Sequence, residues 1–94
     1  MAKAQELKIF TKHPRGKSGK SISKDKYDAI KEAMLKVLKG KELTHNELFN
    51  KIEQLLKRKF DGNVSWYAET VKLDLEARKR LKRIDSKPQK YKLI

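Results

Sequence analysis

The stretch Leu81-Lys82-Arg83-Ile84-Asp85-Ser86-Lys87-Pro88-Gln89-Lys90-Tyr91-Lys92-Leu93-Ile94 (LKRIDSKPQKYKLI) decides the fold class, because the periodicity of the chain changes there. In an extended segment, successive side chains point to opposite sides. Tyr91 and Leu93 would therefore lie on one side and Lys90 and Lys92 on the other. The Ser and Pro residues between the two halves favour a turn. The stretch predicts a strand, a turn and a second strand that form an antiparallel hairpin.

Ahead of this hairpin, apolar residues recur at spacings of three and four in three segments, which is typical of amphipathic helices. The first helix is predicted from Ser23 to Gly40, the second from Thr44 to the breaker Asp61-Gly62-Asn63, and the third from about Ser65 to about Arg78. The pattern of a capping box is present in Thr44-His45-Asn46-Glu47. In such a box the Thr side chain accepts a hydrogen bond from the backbone N–H of the Glu, and the Glu side chain accepts one from the backbone N–H of the Thr. The chain is thus predicted to be mainly α with a small β hairpin, an α+β fold.

Residues 1–23 are predicted to form a basic and partly flexible arm, and residues 24–94 to form the domain that follows it. A short apolar piece of the arm, Leu7, Ile9 and Phe10, is expected to dock on the domain as one short strand or turn. The triplet Gly19-Lys20-Ser21 resembles the end of a phosphate-binding P-loop. The first glycine of that motif would fall at Pro14, which has no N–H to offer, so the sequence argues against a bound nucleotide.

Composition sets the remaining bounds. A chain of 94 residues is expected to form one domain, and without cysteine it has neither disulfides nor thiolate metal sites. His13 and His45 have no metal-ligand spacing, and no Ser, His and Asp set is recognisable, so we expect no metal, no cofactor and no enzyme activity. No segment approaches the length of a membrane helix, and a cytoplasmic location with no membrane partner is the expectation.

The charge points to a polyanionic partner. Lysine and arginine number 25 against 12 acids, a net charge of +13. Such a field attracts nucleic acid before any specific contact forms. A lysine-rich composition without a polyanionic partner is the competing interpretation, and docking on ribosomal or other acidic assemblies would use the same charge.

The candidate nucleic-acid contacts are concentrated near the hairpin and in the arm. In the third helix and the hairpin they are Lys72, Arg78, Lys79, Lys82, Arg83, Lys87, Lys90 and Lys92, and in the arm they are Arg15, Lys17 and Lys20. Lysine and arginine release condensed counterions when they meet phosphates. Two alternatives stay open: lysines on an edge strand also prevent unwanted strand pairing, and the arm's lysines also suit an unstructured tail.

The order of helix, helix, helix and basic hairpin resembles the winged helix-turn-helix superfamily over about residues 24–94. The spaced apolar residues Val71, Leu75, Leu81 and Ile84, followed by a turn and Tyr91-Lys92-Leu93, are similar to its passage from recognition helix to wing. The resemblance implies that the third helix enters a DNA major groove while the wing contacts the backbone. The chain departs from the family by having no glycine near Lys79 and Arg80.

A second resemblance implies no activity. His13-Pro14, and the segment from Phe60-Asp61-Gly62 to Trp66-Tyr67, are similar to a family of small uncharacterised bacterial proteins with this core.

The third helix suits a protein contact as well as DNA. It carries Glu69, Asp74 and Glu76 against the lone Lys72, a balance that repels phosphates. It is apolar on two sides, with Val64, Ala68, Val71 and Leu75 on one side and Trp66, Thr70, Leu73 and Ala77 on the other. We expect the arm to cover the second side and Trp66, Tyr67 and Tyr91 to anchor the core. The alternative function is a protein-interaction or dimerisation module that uses Trp66, Thr70 and Leu73 and has no nucleic-acid role.

Overall fold

The structure of the chain, a computed structural model, describes residues 8–13, 16, 18–60 and 62–94. The elements in chain order are β1 (Lys8–Lys12), β2 (Ser18–Ser23), α1 (Lys24–Leu38), β3 (Leu43–Thr44), α2 (His45–Leu56), α3 (Val64–Ala77), β4 (Leu81–Ile84) and β5 (Lys90–Leu93). The chain is therefore α+β, with three helices and two small antiparallel sheets. Expectations that concern Leu7, Pro14, Arg15, Lys17 and Asp61 lie outside the described residues.

The three predicted helices are present, and their caps explain where two of them begin. In the capping box of α2, the backbone N–H of Glu47 donates to Thr44 Oγ1 at 3.2 Å, and that of Thr44 donates to Glu47 Oε1 at 2.9 Å. At the start of α3, Asn63 Oδ1 accepts a hydrogen bond from the backbone N–H of Trp66 at 3.0 Å. Each cap satisfies a backbone donor that the first helical turn leaves without a partner.

Two expectations about α2 are wrong. The helix ends at Leu56 rather than near Asp61, because the chain leaves the helical conformation at Lys57 and Arg58 has a left-handed φ of 69°. The spacing of three residues from Ile52 predicts that Leu55 also lies on the buried face, yet 37% of its surface is exposed. It lines shallow surface clefts together with Lys36 and Val37, so α1 covers it only in part.

The carboxyl-terminal hairpin is confirmed, and a third strand joins it. Strand β5 lies between β3 and β4, and both pairings are antiparallel. Leu43 stands opposite Tyr91, and Leu81 stands opposite Leu93. The sequence pattern does not predict β3, because a strand of two residues is too short to show a periodicity.

The core fills the space between the three helices and one face of this sheet. Its largest fully buried apolar side chains are Ile30, Met34, Leu38, Leu48, Ile52, Val71 and Leu75. Leu81 and Tyr91 close it from the sheet, so the expectation that Tyr91 belongs to the core is confirmed. No helix in the described part of the chain is long and apolar enough to cross a membrane.

The described part of the arm holds two strands rather than one, since β1 and β2 pair antiparallel and pack against α3. A bulge after Phe10 shifts the register of the two strands. There Thr11 Oγ1 accepts a hydrogen bond from the backbone N–H of Lys20 at 2.7 Å and donates one to the Lys20 carbonyl at 2.9 Å. A Cβ on Gly19 would stand 1.8 Å from the Thr11 carbonyl oxygen. The Gly-Lys-Ser triplet is therefore part of a β-bulge, and only glycine fits at position 19, where the two strands approach closely.

Candidate nucleic-acid interface

Three lysines share the outer face of the three-stranded sheet. Alternation along β4 and β5 turns Leu81, Tyr91 and Leu93 toward the core and Lys82, Lys90 and Lys92 away from it. None of these three lysines forms an ion pair with a carboxylate of the described residues. We call Lys82, Lys90 and Lys92 the basic sheet face.

Within the basic sheet face, Lys82 stands directly opposite Lys92. Opposed side chains on antiparallel strands have Cβ atoms about 5 Å apart, and like charges in such a pair are destabilising. Lys90 stands opposite Thr44 in the sheet. The hydrogen bonds from Thr44 lower the pKa of Glu47, and the positive charges of Lys90 and Lys51 lower that pKa further. One carboxylate therefore lies within electrostatic range of Lys90, although it forms no ion pair with it.

Further cations extend this surface along the length of the hairpin. Lys79 and Arg80 are exposed in the turn that precedes β4, and Lys87 is exposed in the turn between β4 and β5. Since these turns lie at opposite ends of β4, the positive charge runs from one end of the hairpin to the other. Five predicted contacts, Lys79, Lys82, Lys87, Lys90 and Lys92, therefore belong to this hairpin or to the turns at the ends of β4, and each is at least partly exposed.

Two predicted contacts, Arg78 and Arg83, point instead to carboxylates of α3. Arg78 Nε donates to both carboxylate oxygens of Asp74 at 2.9 Å, and Arg83 Nη2 donates to Glu76 Oε1 at 3.0 Å. These hydrogen bonds raise the pKa of each arginine. The guanidinium of Arg83 also lies 5.6 Å from the centre of the Tyr91 ring. Because both groups are neutralised locally, we leave them out of the basic sheet face.

The prediction that Lys72 contacts phosphate is wrong, because the side chain is buried and only 3% of its surface is exposed. Its ammonium lies 2.8 Å from Glu69 Oε1 and 3.2 Å from the Tyr91 hydroxyl, and 4.6 Å from the Tyr91 ring centre. A cation over an aromatic face is attracted by the ring quadrupole, and the ion pair offsets the loss of hydration. Lys72 therefore fastens α3 to the sheet.

All three carboxylates of α3 are neutralised by ion pairs. Glu69 is paired with Lys72, Asp74 with Arg78 and Glu76 with Arg83. The net negative charge expected for this helix is therefore balanced locally. Asp74 is completely buried, and the one sequence signal for its role is its spacing of four residues from Arg78.

A cleft lies between α3 and the amino-terminal hairpin. Its volume is about 230 Å³, and its lining residues are Thr11, Lys12, His13, Gly19, Lys20, Trp66, Glu69, Thr70 and Leu73. We call it the α3–hairpin cleft. It contains the three residues of the alternative protein interface, Trp66, Thr70 and Leu73, and one predicted arm contact, Lys20.

The expectation that Trp66 anchors the core is wrong, because 45% of its surface is exposed. The adjacent Tyr67 is half-buried and packs edge-on against Phe60, with ring centres 5.2 Å apart. The hairpin covers α3 only in part: it forms the second wall of the cleft and leaves the Trp66 ring accessible.

The described residues hold no group of three or more His, Cys, Asp or Glu side chains that is suited to bind a metal ion. The arrangement instead defines an α+β domain with a basic sheet face and an adjacent aromatic cleft. Residues 8–91 match a family described as "Family of unknown function (DUF6958)", and the chain belongs to that family. No curated protein and no solved structure matches the chain.

Proposed function

We propose that this protein is a non-enzymatic winged-helix module that binds nucleic acid, DNA more readily than RNA, mainly through backbone phosphates. The observation that carries the proposal is the basic sheet face, where Lys82, Lys90 and Lys92 share one side of the sheet without ion pairs among the described residues. Repulsion within this group is relieved when a polyanion binds, and the released counterions add to the affinity.

The winged-helix part of the proposal is supported by the order of the elements. Helix, strand, two helices and a hairpin follow one another, and β5 lies between β3 and β4. In this interpretation α3 is the recognition helix and the β4–β5 hairpin is the wing. Since the carboxylates of α3 are already paired and Lys72 is buried, the wing would supply the phosphate contacts. Such contacts position a protein on DNA without reading its sequence, so we expect weak sequence preference.

A salt titration with fluorescently labelled duplex DNA tests the proposal. Affinity is expected to fall by about 10²-fold or more between about 50 and 200 mM salt if some five phosphates are contacted. The triple variant Lys82→Gln/Lys90→Gln/Lys92→Gln should reduce the slope of log K against log salt by about 2.7, since each phosphate contact contributes about 0.9.

The matched control is Lys36→Gln/Lys39→Gln/Lys57→Gln, which removes three exposed lysines from α1 and from the ends of α1 and α2. Both triple variants have the same net charge. A specific interface predicts a large change in slope for the first variant and a small one for the second. Equal effects, or affinity that does not depend on salt, would refute the proposal.

A protein-interaction or dimerisation module on the same scaffold is the second candidate. It is favoured by the exposure of Trp66, because a large exposed aromatic ring beside Leu73 is typical of contact surfaces. Sedimentation velocity over a range of protein concentrations tests it. Self-association that Trp66→Ser abolishes would support this candidate, whereas a monomer at all concentrations that binds duplex DNA would support the first.

A further inference from the structure

We infer that the α3–hairpin cleft receives one unpaired base of a single-stranded nucleic acid, which stacks on the ring of Trp66. The inference rests on the proposed function and names the ligand of a second surface. Three features carry it: an exposed tryptophan that packs edge-on against Tyr67, a hairpin held to α3 by a hydrogen bond to a buried carboxylate, and lysines on the wall opposite the tryptophan.

The tryptophan is held as a platform. Its ring meets Tyr67 edge-on, with the ring centres 4.9 Å apart and an interplanar angle of 82°. Its backbone is fixed at the start of α3, where the N–H donates to Asn63 Oδ1 at 3.0 Å and the C=O accepts from Thr70 Oγ1 at 3.0 Å. A fixed aromatic face loses little conformational freedom when a base stacks on it, and such stacking is tolerant of sequence.

The width of the cleft is set by the attachment of β1 to α3. The backbone N–H of Lys12 donates to Asp74 Oδ1 at 2.8 Å, and Asp74 itself is completely buried. Gly19 contributes no side chain to the opposite wall, and a Cβ there would collide with Thr11. The volume of about 230 Å³ suits a single planar ring system better than a helix or a folded surface.

The distribution of charge around the cleft fits a nucleic acid strand whose bases enter the cleft while its phosphates stay at the rim. Lys12 and Lys20 are exposed on the hairpin wall. On the α3 wall, the carboxylate of Glu69 is balanced by Lys72 at 2.8 Å. The cleft therefore combines an apolar, aromatic wall with two rim lysines that form no ion pair within the described part of the chain. Grooves for single-stranded nucleic acid have this combination, since bases stack on aromatic rings while cations follow the phosphates.

A base inside a duplex is stacked on its neighbours and cannot enter this cleft, so the ligand must be unpaired. An apolar side chain of another protein, or of a second copy of this chain, would also fit the Trp66 wall. Such a partner has no need of Lys12 and Lys20, and we therefore favour nucleic acid and treat the protein partners as outcomes of the test.

Trp66 is the only tryptophan of the chain, so its fluorescence reports on the cleft alone. The protein is titrated with oligothymidylate of about ten nucleotides and, in parallel, with an abasic oligomer of the same length and charge. We expect oligothymidylate to quench Trp66 and to bind about tenfold more tightly than the abasic oligomer. Trp66→Leu should remove that difference, as measured by anisotropy of labelled oligomers, and Trp66→Tyr should restore part of it.

The outcomes separate this inference from the proposed function. Equal affinity for both oligomers with unchanged Trp66 emission would overturn the base site and leave phosphate binding intact. Absence of binding to duplex and to both oligomers would overturn both. A shift of Trp66 emission with protein concentration alone, without nucleic acid, would overturn the inference in favour of a second copy in the cleft. Circular dichroism of both Trp66 variants establishes that they are folded.

Discussion

The hydroxyl of Tyr27 on α1 donates a hydrogen bond to the buried carboxylate of Asp74 on α3. The same carboxylate accepts hydrogen bonds from Arg78 Nε at 2.9 Å and from the backbone N–H of Lys12 at 2.8 Å. One side chain thus joins α1, α3 and the amino-terminal hairpin, and it fixes one wall of the α3–hairpin cleft. Because Asp74 is inaccessible to water, each of these donors replaces hydration that the carboxylate has lost.

Replacing Tyr27 by Phe is therefore expected to destabilise the fold. The change removes one donor from a buried carboxylate, and an unsatisfied buried acceptor costs about 1–3 kcal/mol. Urea denaturation measures the change in the free energy of unfolding. The matched control is Tyr67→Phe, whose hydroxyl is 3.5 Å from Lys26 Nζ, and the expected loss is below about 0.5 kcal/mol. Equal losses for the two variants would contradict the role given to the Tyr27–Asp74 bond.

The same bond predicts a loss of stability at alkaline pH. Burial, reinforced by the hydrogen bond to Asp74, raises the pKa of Tyr27 above its ordinary value. The folded state therefore keeps the phenol protonated at a pH where the unfolded chain ionises it, which begins near about pH 10. The stability contributed by Tyr27 is complete below that pH and is lost as the pH rises toward the folded-state pKa. The difference in free energy of unfolding between wild type and Tyr27→Phe should shrink from pH 9 to pH 11; a constant difference would count against this.

The helices could be predicted from the sequence, whereas the polar links between them could not. The capping box at Thr44 is a local signal, and the apolar spacing of each helix depends only on its own residues. Asp74 is different, because two of its three donors come from residues 47 and 62 positions away. A helical wheel assigns such a residue to solvent by its polarity, and only the tertiary structure shows that it is buried.

For the candidate site, too, the features within one element could be predicted from the sequence, and the features that depend on two elements could not. The alternation of Lys82, Lys90 and Lys92 with core residues follows from strand geometry and was available from the pattern. The burial of Lys72 was not, since it depends on Tyr91 and Phe49 from other elements. Likewise, the cleft beside Trp66 exists because the hairpin and α3 meet, and no local pattern encodes that meeting.

Gly19→Ala is expected to detach the amino-terminal hairpin. The new Cβ would stand 1.8 Å from the Thr11 carbonyl oxygen, so the bulge that pairs β1 with β2 cannot persist. Amide hydrogen exchange should show loss of protection at Lys12 and Lys20, while α2 stays protected. Gly16→Ala is the control in the same hairpin. A Cβ on Gly16 meets nothing within 4 Å, so alanine at its φ of 76° costs only the backbone strain of about 1–2 kcal/mol.

His45 predicts a loss of stability on mild acidification. Its ring stacks on Phe49 with the ring centres 4.0 Å apart. Burial, and to a lesser extent the nearby charge of Lys72, lower the pKa of His45. The unfolded chain therefore binds a proton near about pH 6.5 before the folded state does, and the stability contributed by the neutral ring is lost as the pH falls through that range.

Denaturation midpoints at pH 7.5 and pH 5.5 test this for wild type and for His45→Gln. The variant should lose less stability than wild type between the two values, whatever its absolute stability. His13→Gln, which alters the other histidine, is the matched control. An identical pH dependence in wild type and His45→Gln would exclude the effect.

Lys79→Gly is expected to stabilise the protein. Helix α3 ends in a Schellman motif, in which the N–H of Arg80 donates to the Leu75 carbonyl at 2.9 Å and that of Lys79 donates to the Glu76 carbonyl at 3.1 Å. This geometry places Lys79 at a left-handed φ of 63°, where a side chain costs about 1–2 kcal/mol. Glycine removes that strain, but its greater freedom in the unfolded chain offsets part of the gain in stability, so the expected net gain is about 0.5–1 kcal/mol.

Lys79→Ala removes the same charge but keeps the Cβ, and it should leave thermal stability close to that of wild type. A gain with alanine as large as the gain with glycine would assign the effect to relief of charge repulsion instead of backbone strain.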